Sequence, residues 1–167
     1  MGDRPPTPLE LVQKHAHMFM ETVPWANALG FELVKVERAR AIARVAWRED
    51  LVGDAETGVM AGGVITSILD NICGVAISAA LDTFKSMATL DLRIDYMRPG
   101  EKGRDIIAEA ECYHVTRSVA FTRAWAYHET RDRIVASASG AFALNDPNRW
   151  ASGGAMAIVK DVLDGRT

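Results

Sequence analysis

Apolar residues run almost unbroken from Val59 to Leu81, while on either side of that run they alternate with polar ones. A run of that length, hydrophobic on every side, predicts a helix enclosed by other elements, because a surface helix keeps a polar face. After it, residues 88–96, 107–115, 119–127 and 134–144 alternate with period two and predict half-buried strands, with turns at Pro99-Gly100 and over residues 129–132. Two more strands are predicted ahead of the helix, residues 31–36 and 41–47, turning near residues 38–40. Residues 51–58, with two glycines, read as a loop. Further upstream, Leu9, Val12, His15 or Ala16, Phe19 and Val23 recur at helical spacing, which predicts an amphipathic helix over residues 9–22, ended at Pro24.

One buried helix, two strands before it and a four-stranded meander after it amount to an α+β fold in which a curved antiparallel sheet wraps a helix. The 167 residues suffice for one domain with a real core. Residues 1–23 read as a loose end and helix, 24–145 as the domain, and 146–167 as a tail with a short helix over 155–163.

One charge stands out against the apolar run. Asp70 is the only acidic or basic side chain between Glu56 and Asp82. An unpaired buried carboxylate costs several kcal/mol, on the order of the whole margin of folding, so Asp70 must be hydrogen-bonded, paired or protonated. Seven positions earlier stands Gly63, about two helical turns away, so Asp70 shares a face with the Gly62-Gly63 start of the helix. A helix N-terminus presents unpaired N–H groups with partial positive charge, and glycine allows close approach. Such donors stabilise the charge that develops on a carbonyl oxygen under attack.

Composition narrows the alternatives. Asp70, Asn71, Gly62, Gly63 and Gly74 within the run, and no basic flank, argue against a membrane span. A net charge of -3 gives no footing for nucleic acid. His15, His17, His114 and His128 have no ligand spacing, so no metal is expected. Cys73 and Cys112 lack a metal or disulfide pattern and suit a reducing compartment. Ser67 and Cys73 have no histidine partner for nucleophilic catalysis. The opening Met-Gly-Asp-Arg-Pro-Pro is followed by no signal-type apolar core, which reads as a cytoplasmic protein.

The stretch Leu51-Val-Gly-Asp-Ala-Glu-Thr-Gly-Val-Met-Ala-Gly-Gly-Val-Ile-Thr-Ser-Ile-Leu-Asp70, followed by Leu90-Asp-Leu-Arg-Ile-Asp-Tyr96-Met-Arg98-Pro99, resembles the hotdog-fold acyl-CoA thioesterases of the phenylacetate-degradation type. The resemblance spans roughly residues 24–144. It implies a long helix wrapped by an antiparallel sheet, a homodimer with a continuous sheet or a dimer of dimers, and hydrolysis of coenzyme A thioesters without metal or organic cofactor. It also implies Asp70 as general base or nucleophile, the Gly62 or Gly63 amide polarising the thioester carbonyl, and Thr89 helping to hold the attacking water. In such dimers the acid and the amide come from different subunits. The family's usual His-Gly-Gly stands here as Ala61-Gly62-Gly63, and Asp54 or Ala55 is the nearest counterpart of its loop asparagine. Arg98 at a strand end and Arg117-Ser118 at a tight turn are candidates for the phosphates of coenzyme A, since the planar guanidinium fork matches phosphate. Ala61 also motivates an alternative: a non-catalytic acyl-CoA or lipid binder on the same scaffold. A hydratase is disfavoured because no histidine lies between Glu56 and Asp82.

Overall fold

The computed structural model describes residues 6–15 and 23–145. In chain order these form α1 (Pro8–Lys14), α2 (Pro24–Leu29), β1 (Phe31–Glu37), β2 (Arg40–Val45), β3 (Val52–Asp54), β4 (Val59–Met60), α3 (Gly62–Ala80), β5 (Ser86–Tyr96), β6 (Ile106–Val115), β7 (Val119–Tyr127) and β8 (Ile134–Asn145). A six-stranded antiparallel sheet in the order β1-β2-β6-β7-β8-β5 curves around α3, the hotdog arrangement expected from the sequence. The β3–β4 pair stands apart as a small hairpin leading into α3.

Side-chain size explains how closely helix and sheet approach. The inward face of the sheet is floored with fully buried alanines, among them Ala43, Ala108, Ala110, Ala124 and Ala136. Into that floor α3 sets Ile68, Leu69, Ile72 and Ile77, each 0% exposed. Large residues on one layer set against small ones on the other let the two layers interdigitate. By length and hydropathy α3 would also span a bilayer, yet half of that apolar window is buried inside the fold.

Four sequence expectations need correction. The helix predicted over residues 9–22 closes at Lys14, where the His15 N–H bonds to the Leu11 carbonyl; residues 16–22 lie outside the described residues, as does the helix expected over 155–163. Pro24 starts a helix rather than ending one: it occupies the first turn of α2, where the missing N–H would have had no partner. The loop over 51–58 is a 3-10 turn followed by the β3–β4 hairpin, closed at Gly58 with φ +70°. The four strands after α3 are not a simple meander, because β5 pairs with β8 and leaves β6 to lie beside β2. The inward residues of β6 are Ile106, Ala108, Ala110 and Cys112, which suit the centre beneath α3. By contrast β5 carries Asp91, Arg93, Asp95 and a bulge at Leu90, the marks of an edge strand.

The outer face of the sheet holds one buried charge. Glu109, 3% exposed, accepts from Arg40, Arg131 and the Tyr127 hydroxyl, and the Arg131 guanidinium lies 3.6 Å over the Trp125 ring. Burial, and then Glu109, push the Tyr127 hydroxyl up to about 12.

Candidate active site

The site lies where α3 runs alongside the edge strand β5. Three contacts measure how they align: Thr66 with Tyr96, Asp70 with Thr89, and Gly74 beside Met87. The two elements therefore run antiparallel. Beyond the bulge, Leu92 and Ile94 turn inward in step with Tyr96 and on the same side as Thr89.

Asp70 is half-buried on α3, and its Oδ1 accepts a hydrogen bond from the Thr89 hydroxyl at 2.8 Å. The partner demanded by a carboxylate in an apolar helix is thus a neutral hydroxyl from the edge strand, with no countercharge. A single donor on one oxygen orients the carboxylate and, among the described residues, leaves Oδ2 without a protein partner, the arrangement a base needs.

Two turns up the helix the backbone takes over. No side chain caps the start of α3, whose N-cap is Ala61. The Ala61 N–H bonds to the Leu51 carbonyl at 2.8 Å, and the Val64 N–H to the Ala61 carbonyl at 3.0 Å. Gly62 and Gly63, both exposed, are left as the donors of the first turn. A Cβ built on Gly63 would meet nothing within 4 Å, so nothing in this chain crowds the side-chain side of this exposed residue. On Gly62 it would stand 3.2 Å from the Tyr96 hydroxyl.

Other predicted residues are placed differently. The Asp54 carboxylate accepts from the Glu56 N–H and the Thr57 hydroxyl within its own hairpin turn, and the Thr57 hydroxyl holds it below the usual carboxylate range. Arg98 and Arg117 lie at opposite ends of β5: Arg98 stands two residues past its last, while the Arg117 carbonyl accepts from Lys85, just before its first. That strand of 11 residues puts roughly 30 Å between them, so one coenzyme A headgroup cannot reach both within one chain. Arg98 borders a cleft of about 310 Å³ with Arg104, His128, Thr130 and Arg133. Arg104 is already paired with Glu101 and Glu129. Ser118 uses its backbone, donating to the Thr116 hydroxyl and accepting from the Leu144 N–H.

Nucleophilic alternatives find no support in the geometry. The Ser67 hydroxyl donates back to the Gly63 carbonyl at 2.8 Å, and burial pushes the Cys73 thiol up to about 12. Among the described residues no three His, Cys, Asp or Glu side chains gather to hold a metal ion. What sequence reasoning missed is Tyr96, whose hydroxyl donates to the Gly62 carbonyl at 2.7 Å and lies 3.0 Å from the Thr66 hydroxyl. Its only signal was the period-two spacing that puts Tyr96 on the inward side of β5.

A sequence profile of the thioesterase superfamily matches residues 57–135, from the hairpin turn into β8 and across this whole site. Over 138 residues the chain is 30% identical to the medium/long-chain acyl-CoA thioesterase YigI of Salmonella typhimurium, covering 75% of this chain and 88% of that one. The chain belongs to the thioesterase superfamily. YigI of Escherichia coli K12 is likewise 30% identical, over 140 residues, covering 75% of this chain and 88% of its own. A Pseudomonas aeruginosa protein of known structure superposes on this thioesterase with a TM-score of 0.70 at 35% identity, covering 78% of this chain and 96% of the other. The PaaI protein of the Escherichia coli phenylacetic acid degradation operon shares the fold, with a TM-score of 0.71 at 18% identity, covering 83% and 96%.

Proposed function

We propose that this thioesterase hydrolyses acyl-CoA thioesters to the free acid and coenzyme A, with Asp70 as general base. The observation that carries the reading is the Asp70–Thr89 hydrogen bond of 2.8 Å, which orients a half-buried carboxylate where α3 meets the edge strand β5. A water held by Asp70 Oδ2 attacks the thioester carbonyl carbon and gives its proton to the carboxylate. The carbonyl oxygen gains the negative charge and is stabilised by the Gly62 or Gly63 N–H. As the intermediate collapses, the C–S bond breaks and the coenzyme A sulfur leaves, taking the proton from Asp70. The family resemblance also allows Asp70 to attack directly as nucleophile, and the carbonyl would be held in the same way. No metal or organic cofactor takes part in either route.

The reading calls for two subunits. Gly63 and Asp70 are seven residues apart on one helix, about 10 Å along its axis, too far to serve one thioester. A second copy of the chain, in a homodimer or a dimer of dimers, supplies the missing half. Arg98, Arg117 and Ser118 then meet coenzyme A from different chains, and Ala61, with its small side chain, borders the acyl group. The names of the YigI relatives direct the first substrate panel to medium- and long-chain acyl-CoAs.

The test is Asp70→Asn, assayed by release of free thiol. It should fold as the wild type and lose at least about a hundredfold in turnover, the scale of a lost positioned base. Unchanged turnover would remove Asp70 from the mechanism. A wild type that binds acyl-CoA tightly and releases no thiol would favour the non-catalytic binder, the reading that Ala61 at the helix start supports.

A further inference from the structure

The side chain that fixes the first turn of α3 comes from another strand. Tyr96 ends β5 and reaches over the helix start, where its hydroxyl donates to the Gly62 carbonyl at 2.7 Å. That proton being committed, the Thr66 hydroxyl 3.0 Å away must donate to the Tyr96 oxygen. Two donors therefore point one way, from Thr66 to Tyr96 and from Tyr96 to the Gly62 carbonyl.

The Gly62 carbonyl belongs to the same planar peptide unit as the Gly63 N–H. A hydrogen bond accepted at one end of a peptide unit draws electron density from the other and makes its N–H a stronger donor. The next unit is braced similarly, since the Ser67 hydroxyl donates to the Gly63 carbonyl at 2.8 Å. Its N–H belongs to Val64, which bonds to Ala61 and has no free proton for a ligand. Only the tyrosine acts on a peptide whose N–H belongs to an exposed, uncrowded residue, Gly63.

The two glycines then have separate reasons. Gly63 leaves room for the substrate, whereas a methyl group on Gly62 would press on the tyrosine hydroxyl at 3.2 Å. A helix that starts with two glycines and has no side-chain cap tends to fray, because glycine is costly in a helix and the first amides lack partners. A hydroxyl anchored on the sheet holds the turn in place.

We propose that Tyr96, supported by Thr66, is the positioning residue of the oxyanion site, holding and polarising the Gly62–Gly63 peptide so that the Gly63 N–H meets the thioester oxygen. The proposal rests on the thioesterase reading given above. It adds a polar relay running from the edge strand to the helix start, in a loop where the family's histidine is replaced by Ala61.

The experiment pairs Tyr96→Phe with Thr66→Val and reads kcat, KM and amide hydrogen exchange at Thr66 and Ser67, whose N–H groups bond to the Gly62 and Gly63 carbonyls. With Tyr96→Phe, kcat should fall about tenfold, less than the 10² to 10³ of a deleted oxyanion donor. KM should change less than about twofold, the signature of an interaction realised in the transition state. Thr66→Val should show a smaller loss of the same kind, and the double variant should be no worse than Tyr96→Phe, because the two hydroxyls act in series. Light scattering and thermal melts on the same samples establish that assembly and fold are kept. Wild-type kcat in Tyr96→Phe overturns the proposal, as does a parallel loss of KM, melting temperature and assembly, which would make Tyr96 a packing residue. If the wild type itself turns over no acyl-CoA, the thioesterase reading fails. Exchange then decides Tyr96 alone: faster exchange at Thr66 in Tyr96→Phe keeps its clamping role, and unchanged exchange removes it.

Discussion

At the scale of single residues, Gly63 sets stability against function. Glycine inside a helix is less stable than alanine by roughly 0.5–1 kcal/mol, and a Cβ at this position collides with nothing in the chain. Gly63→Ala should therefore raise stability by about that amount in urea melts, while turnover falls tenfold or more because the methyl group fills the space over the amide. A variant that is stabilised and fully active would mean that the thioester does not approach there. Asp70 illustrates the other side of residue-scale reasoning. Its position in the apolar run demanded a partner, and the chain meets the demand with the Thr89 hydroxyl. Had a lysine or arginine met it, the carboxylate would be held as a structural ion pair and be a poor base.

At the scale of elements, β5 is the strand on which the site depends. It is 11 residues long, lies at the sheet edge, and exposes Leu90 at 62% and Tyr96 at 50%. A long edge strand with exposed apolar side chains is a template for pairing with another strand. Antiparallel pairing of β5 with its own copy, about a twofold axis at Arg93 and with Leu90 as the extra residue of the bulge, would set Thr89 opposite the partner subunit's Tyr96. Behind Thr89 stands Asp70, and behind Tyr96 stands Gly62. That one operation brings acid and amide together, which a single helix cannot do. Leu90→Lys should leave the fold intact, convert the assembly to monomer by light scattering at micromolar concentration, and abolish turnover with it. A monomeric wild type would refute the pairing outright.

At the scale of the whole molecule, the separation of Arg98 and Arg117 makes their roles distinguishable. Each is exposed, so a contact with a coenzyme A phosphate is screened by salt. Arg98→Ala and Arg117→Ala should raise KM for acyl-CoA more at low than at high ionic strength, with turnover changed less. A short thioester lacking the nucleotide should be handled normally by both variants. Equal loss on that truncated substrate would show that the arginines hold the fold instead. Because the two sit at opposite ends of β5, a loss confined to one variant would say which end receives the nucleotide.

The six strands of the main sheet, the buried helix and the isolated acid on it were legible in the sequence, whereas α2 and the β3–β4 hairpin were not. Period-two and helical spacing are local, and a carboxylate in an apolar run is visible without any partner. Tertiary structure alone decided which strand stands beside which, because alternation says that a strand has two faces and leaves its neighbours open. It moved β5 to the edge, and so placed Thr89 on Asp70 and Tyr96 on Gly62, pairs 19 and 34 residues apart. It also read Pro24 as a beginning, since proline limits the residue before it and permits the helix after it. The acid was legible because its cost is intrinsic. The hydroxyls that orient the acid and the amide were not, because a hydroxyl on a strand acquires a role only from what the fold sets opposite it.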